Sequence, residues 1–286
     1  RGIKMKKILL MLLGALIVLY FATRMFEHGG SKSIEKQRAV LAKNTAGKGF
    51  GPQSPRDIDL SEGENNIIFA TAPDSSKMNL CNIHFHKNAE HKGGEFTLFA
   101  GEGDGKGYNS GYKYSGTFTQ NELVPTKDEI CPNEHSNLLV GDTIEVHYVH
   151  STAQVSPGAT LGACLSESIK NPQLRVETQV YVLVNDENAS DFNELTKFDK
   201  IDGYYQALNI PNDTGTAIEY AGSTTGPSYN ETASPFQVTW SVRPKVKKVN
   251  INSVGKWCED NIFEEDHAHG VRNLVLNKAL LSPISK

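Results

Sequence analysis

The sequence predicts a mainly β fold, and three observations carry that prediction. Stretches such as Thr143-Ile144-Glu145-Val146-His147-Tyr148-Val149 and Phe236-Gln237-Val238-Thr239-Trp240-Ser241-Val242 alternate polar and apolar side chains, the period of two that a strand imposes. Long helical periodicities are scarce. Turn-forming clusters such as Gly49-Phe50-Gly51-Pro52-Gln53-Ser54-Pro55 punctuate the alternating runs. A hydrophobic content of 38% is ample for a packed core.

Taken in order, the chain opens with Met5-Lys6-Lys7 and an apolar run from Ile8 to Ala22. That run is short for a membrane span, which takes about 20 residues, and fits a secretory signal or a short anchor. The reading divides the chain into 1–27, an N-terminal signal or membrane anchor; 28–48, a polar tether with a helical patch around Ile34 to Lys43; and 49–286, one folded domain. Within the domain, strands are expected at Asn66 to Ala70, Leu80 to His86, Glu95 to Ala100, Leu138 to Val149, Gln173 to Val184, Phe236 to Val242 and Lys247 to Ile251. Gly101 to Gly116 reads as a long loop. Helices are expected at Asp191 to Gln206, with Asp191 or Ser190 as N-cap, and at Val254 to Phe263.

A net charge of −4 with no basic run excludes nucleic acid as a partner. Cys81, Cys131, Cys164 and Cys258 form an even set, which suits an oxidising compartment and hence export to a periplasm or the exterior. Three complete pairings are open. Cys131 and Cys164 bracket the His147 strand, so a bridge between them would brace it. Cys81 is expected on the Ile83 face of its strand, away from the histidines.

The chemistry is concentrated in Cys81-Asn82-Ile83-His84-Phe85-His86. Two residues along a strand advance it by about 7 Å on one face, so His84 and His86 stand side by side. His147 lies on a second alternating strand and supplies a third imidazole. The set His84, His86 and His147 predicts a zinc ion with three protein ligands and its fourth position left to water. Neutral ligands leave the full charge of Zn2+ to lower the pKa of that water to about 7. Glu145, on the His147 face, is expected to accept an imidazole N–H and fix its tautomer. His150 falls on the opposite face and is assigned to packing.

At this point the residues resemble a known family. His84-Phe85-His86, Glu90-His91 and Glu145-Val146-His147-Tyr148-Val149-His150 are similar to the zinc-binding strands of alpha-type carbonic anhydrases. Gln53-Ser54-Pro55-Arg56, Tyr220-Ala221-Gly222-Ser223-Thr224-Thr225-Gly226-Pro227 and Val238-Thr239-Trp240 agree in order. The Ile83-to-His91 stretch, with the surroundings of Cys131 and Cys164, resembles the delta class more closely. The resemblance implies a twisted, largely antiparallel central sheet with a few short peripheral helices. It implies reversible hydration of carbon dioxide to bicarbonate, with 49–286 as the catalytic domain. It further implies Thr225 as the threonine that orients the attacking hydroxide, Thr224 being the neighbouring alternative. Glu90 is the glutamate that holds that threonine, with Glu95 as a spatial alternative. The segment that carries the alpha class's proton-shuttling histidine has no counterpart; His91, His135, His267 and His269 are the candidates left.

Two rival readings follow from the same residues. His84, His86, Glu90 and His147 together fit a cupin-type site for iron or manganese, although the Gly and Pro-x-Gly of the cupin motifs are missing. A non-catalytic carbonic-anhydrase-like binding protein is the other, although it would be expected to have lost a ligand. His267-Ala268-His269, after Glu264-Glu265-Asp266, reads as a solvated turn.

Overall fold

The computed structural model describes residues 33–48, 51–135, 137–224 and 233–285. The apolar run expected as a signal or anchor therefore lies outside the described residues. Among the described residues, no helix is long and apolar enough to cross a membrane.

The fold is mainly β, built on a six-stranded sheet in the order β1-β9-β10-β6-β5-β2. Its strands are β1 (Pro52–Ser54), β2 (Asn79–Lys87), β5 (Thr143–Ser151), β6 (Leu174–Val184), β9 (Ile218–Thr224) and β10 (Val238–Asn250). Two small hairpins lie outside it: β3 (Leu98–Phe99) with β4 (Tyr112–Lys113), and β7 (Phe198–Ile201) with β8 (Tyr204–Ala207). The sheet is mixed. β2–β5, β5–β6 and β9–β10 are antiparallel, whereas β10 runs parallel to β6, and β1 parallel to β9.

Alternation along β2 and β5 sorts the side chains onto two faces. Ile83, Phe85, Ile144, Val146 and Tyr148 join one apolar cluster with Tyr181, Phe192 and Trp257. Val149, Val176, Val180, Val238 and Trp240 form the other. The first cluster is closed by α2 (Phe192–Leu195) and α3 (Ile251–Glu259). Asn250 caps α3 through the Asn252 N–H, and Ile251, Val254 and Trp257 are its buried stripe.

Several expected elements differ. Residues 66–70 form no strand: they lie in irregular chain with Ile68 95% exposed, because no neighbouring strand pairs with them. Only Leu98–Phe99 of the Glu95-to-Ala100 stretch is strand. The helix expected from Asp191 to Gln206 stops after one turn, although Asp191 does cap it. Asp202 and Gly203 both have positive φ, at 51° and 92°, and turn the chain into the β7–β8 hairpin instead. Asp-Gly is the strongest local hairpin signal, and it overrode a weak helical pattern. The last helix begins at Ile251, three residues before the expected Val254. The tether segment is helical over 33–45, termed α1. It is docked: Leu41 packs with Val275, Leu280 and Leu281.

The disulfides pair Cys81 with Cys164 and Cys131 with Cys258, which rules out the Cys131–Cys164 brace. Cys81 also corrects its expected face. The β2–β5 register shifts between Leu80 and Asn82, leaving Cys81 as the inserted residue of a bulge. Leu80 stays with Ile83 while Cys81 joins the apolar cluster on the histidine face of the sheet.

His150 stands on the face opposite His147, as expected, and is fully buried. Its Nδ1–H donates to the Tyr148 carbonyl at 3.1 Å. Burial pushes its pKa down from 6.5 to about 4, against the partial support of Glu177 and that carbonyl. The unfolded chain therefore takes up this proton first. The stabilisation is fully present above about pH 6.5 and is lost as the pH falls toward 4, at about 1.4 kcal/mol per unit, roughly 3 kcal/mol in all. In urea titrations across this range, His150→Gln is expected to lose stability less steeply with acid than the wild type. Equal slopes would show that His150 is not held neutral.

Candidate metal centre

β2 and β5 pair so that His84 lies directly opposite His147, and His86 opposite Glu145. The three rings converge, with centroids 5.2 Å apart for His84–His86, 5.0 Å for His84–His147 and 4.9 Å for His86–His147. One ring nitrogen from each lies within 4.8 Å of the others.

The remaining nitrogens are tied off. His84 Nδ1–H donates to Asn82 Oδ1 at 2.7 Å, His86 Nδ1–H to the Gly270 carbonyl at 2.9 Å, and His147 Nε2–H to Glu145 Oε1 at 2.7 Å. These acceptors fix the tautomers, so that His84 Nε2, His86 Nε2 and His147 Nδ1 present lone pairs to one another. His84 Nε2 and His147 Nδ1 are 3.2 Å apart, and His86 Nε2 is buried with no hydrogen-bond partner among the described residues. Burial, with the neighbouring imidazoles, pushes the pKa of His84 well down. Burial takes that of His86 to about 3, against the pull of Glu90. Three imidazole nitrogens facing one point, with the other nitrogen of each ring engaged elsewhere, fit a borderline cation.

Glu145 has the expected position and a second partner. Its Oε1 also accepts from His91 Nδ1 at 2.8 Å, and its Oε2 accepts from the His91 backbone N–H at 3.1 Å. His91 Nε2 in turn accepts from the Tyr220 hydroxyl at 2.6 Å and lies 3.2 Å from Ser54 Oγ. The edge of Trp240 is wedged against both rings, with centroids 5.2 Å from His147 and 5.1 Å from His91.

Other expected residues fall differently. Thr225 lies outside the described residues. Thr224, at the end of β9, lines the cavity beside His84 and His147, and its buried Oγ1 has no partner among the described residues. Glu90 is buried 3.6 Å from His86 Nδ1, with Oε1 accepting the Arg272 backbone N–H at 2.7 Å. Glu95 does not approach the site; its Oε2 accepts from the Val246 N–H on β10. His91 is sealed from solvent, and His135 stacks on Tyr108. His269, expected in a solvated turn, instead bridges to β2 and sets its ring 5.8 Å from His84 and 5.9 Å from His86.

Asn82, Gly270 and Arg272 were not anticipated. Asn82 shares His84's parity two residues away, a local signal that was present. Gly270 and Arg272 arrive from the far end of the chain, 184 and 182 residues from their partners His86 and Glu90, and nothing local announces them.

The cavity above the imidazoles is about 40 Å³, with Val149, Leu161, Val176, Val238 and Trp240 as its apolar wall. A mixed sheet that presents three converging imidazoles, two of them buried, beside a small cavity with a largely apolar wall defines a candidate metal-dependent enzyme for a small substrate. Residues 75–253 match the family described as delta carbonic anhydrase. The chain belongs to the delta carbonic anhydrase family.

Among solved structures, the chain is similar to the alpha-carbonic anhydrase of Thermovibrio ammonificans in complex with sulfanilamide. That likeness has 16% identity, covers 78% of this chain and 84% of that one, and has a TM-score of 0.27. The alpha-carbonic anhydrase of Photobacterium profundum has 15% identity, covering 80% and 88%, with a TM-score of 0.25. A hyperthermostable carbonic anhydrase identified from a hydrothermal vent chimney has 14% identity, covering 78% and 84%, with a TM-score of 0.25. Likenesses this distant do not align site residues one by one. No curated protein sequence matches the chain.

Proposed function

We propose that this carbonic anhydrase hydrates carbon dioxide reversibly to bicarbonate and a proton on zinc held by His84, His86 and His147. The observation that carries the reading is the orphaned trio of nitrogens: each imidazole has its other nitrogen engaged, and the free ones converge. Zinc bound there supplies the chemistry by bringing the ionisation of a water down to about pH 7. Asn82, Gly270 and Glu145 hold the three rings in their tautomers and orientations. The apolar wall receives a small uncharged substrate and excludes bulk water from it. Thr225 has the role of orienting the nucleophile, with Thr224 next to it on the cavity wall, and Glu90 stands behind His86.

The iron or manganese reading needs Glu90 as a fourth ligand. Glu90 faces the Nδ1 edge of His86, while the convergent nitrogen of that ring is Nε2. A non-catalytic relative would be expected to have lost a ligand, and all three imidazoles are in place. Two disulfides suit an oxidising compartment, and we place the protein outside the cytoplasm, with 1–27 as signal or anchor.

Elemental analysis paired with a hydration assay tests the proposal. About one zinc per chain is expected, with activity lost on chelation and restored by zinc. Iron or manganese in its place, or zinc without turnover, would refute it.

A further inference from the structure

Arg272 brings the only permanent charge to the described lining of the cavity. Its backbone is pinned independently of its side chain. Gly270 O accepts from His86, Val271 N–H donates to Gly107 O at 3.0 Å, and Arg272 N–H donates to Glu90 Oε1 at 2.7 Å. The side chain is 24% exposed, and its Nη1 lies 3.7 Å from Glu90 Oε1, beyond hydrogen-bond length. A guanidinium serving only as counter-ion to Glu90 would close on it as a short fork. Here Oε1 is already taken by the backbone N–H, Oε2 is without a partner among the described residues, and the Arg272 side chain, on the cavity lining, makes no hydrogen bond among the described residues. Most of the remaining wall is apolar and suits a neutral substrate, with Thr224 and Ser234 as its hydroxyls, but the product of the reaction is a planar anion. A guanidinium fork matches such an oxyanion with two parallel hydrogen bonds.

We propose that Arg272 is an anion subsite of the cavity, recognising planar oxyanions of the bicarbonate class beside the three imidazoles. The inference rests on the carbonic anhydrase reading and assigns it a residue for product recognition. Because the Glu90 contact belongs to the Arg272 backbone, side-chain variants isolate the guanidinium.

The test is calorimetric titration of the zinc-loaded full chain with acetate, a planar probe, and thiocyanate, a linear one, with zinc content measured in each variant. Arg272→Gln is expected to keep its zinc and weaken acetate binding by about tenfold. Arg272→Lys keeps the charge without the fork. It is expected to weaken acetate several-fold and leave thiocyanate close to wild type, and it decides the question alone if the glutamine variant fails to fold. Unchanged acetate binding in either folded variant, or no acetate binding by the wild type, overturns the inference. Failure of the underlying reading shows separately, as absent zinc or absent hydration in the wild type.

Discussion

His84→Ala is expected to lose carbon dioxide hydration and most of its zinc. His84 is central to the site: its ring lies 5.2 Å from His86 and 5.0 Å from His147, and its Nε2 is the atom 3.2 Å from His147 Nδ1. Alanine leaves two ligands, too few to hold a tetrahedral ion with one open position. Loss of a residue that merely supports a ligand costs about 10–100-fold in metal affinity, and removal of a ligand is expected to exceed that. The fold should survive, since the Ile83 and Phe85 face that anchors β2 in the core is untouched. Zinc also stabilises the folded wild type by mass action. Chelation is therefore expected to lower the wild type's melting temperature and leave that of His84→Ala unmoved. A variant that keeps stoichiometric zinc and turnover would remove His84 from the ligand set.

What was legible in the sequence was what strand parity encodes. Alternation in Leu80 to His86 and Thr143 to Val149 is a local property, so it placed His84 with His86, and Glu145 with His147, each pair on one face of its strand; the structure then sets His84 opposite His147. Parity failed where the backbone departs from a regular strand. The bulge at Cys81 flipped that residue to the other face, and no composition signal marks a bulge in Leu80-Cys81-Asn82. Non-local partners were equally hidden. The Cys131–Cys258 bridge, the Gly270 carbonyl behind His86 and the place of His269 all depend on where the C-terminal segment returns to the sheet. The parallel pairing of β10 with β6 was invisible for the same reason, because alternation fixes a strand's faces and says nothing of its direction.

Glu145→Gln tests the support of the site, and its effect is expected to be second only to loss of a ligand. The carboxylate is fully buried and faces donors alone: His147 Nε2–H and His91 Nδ1–H on Oε1, and the His91 backbone N–H on Oε2. Burial by itself pushes its pKa up, but the His91 and His147 contacts outweigh that and hold it well below the usual carboxylate range. A carboxylate accepts at every position, whereas a glutamine must present its NH2 to one of these donors. If the amide nitrogen faces His147, the imidazole loses its acceptor and is driven to the other tautomer, with a proton on Nδ1, the atom aimed at the metal. If it faces the His91 backbone N–H, a buried donor is left unpaired, at a cost of about 1–3 kcal/mol. Zinc affinity is expected to fall by about 10–100-fold in chelator competition. The ionised form's contribution to stability is present above the unfolded carboxyl's pKa of about 4.3 and is lost as the pH falls below it, so the variant's stability should also depend less steeply on pH in that acid range. Zinc affinity equal to wild type would show that His147 keeps its tautomer without Glu145, and the electrostatic account of the site would then have to rest on the imidazoles alone.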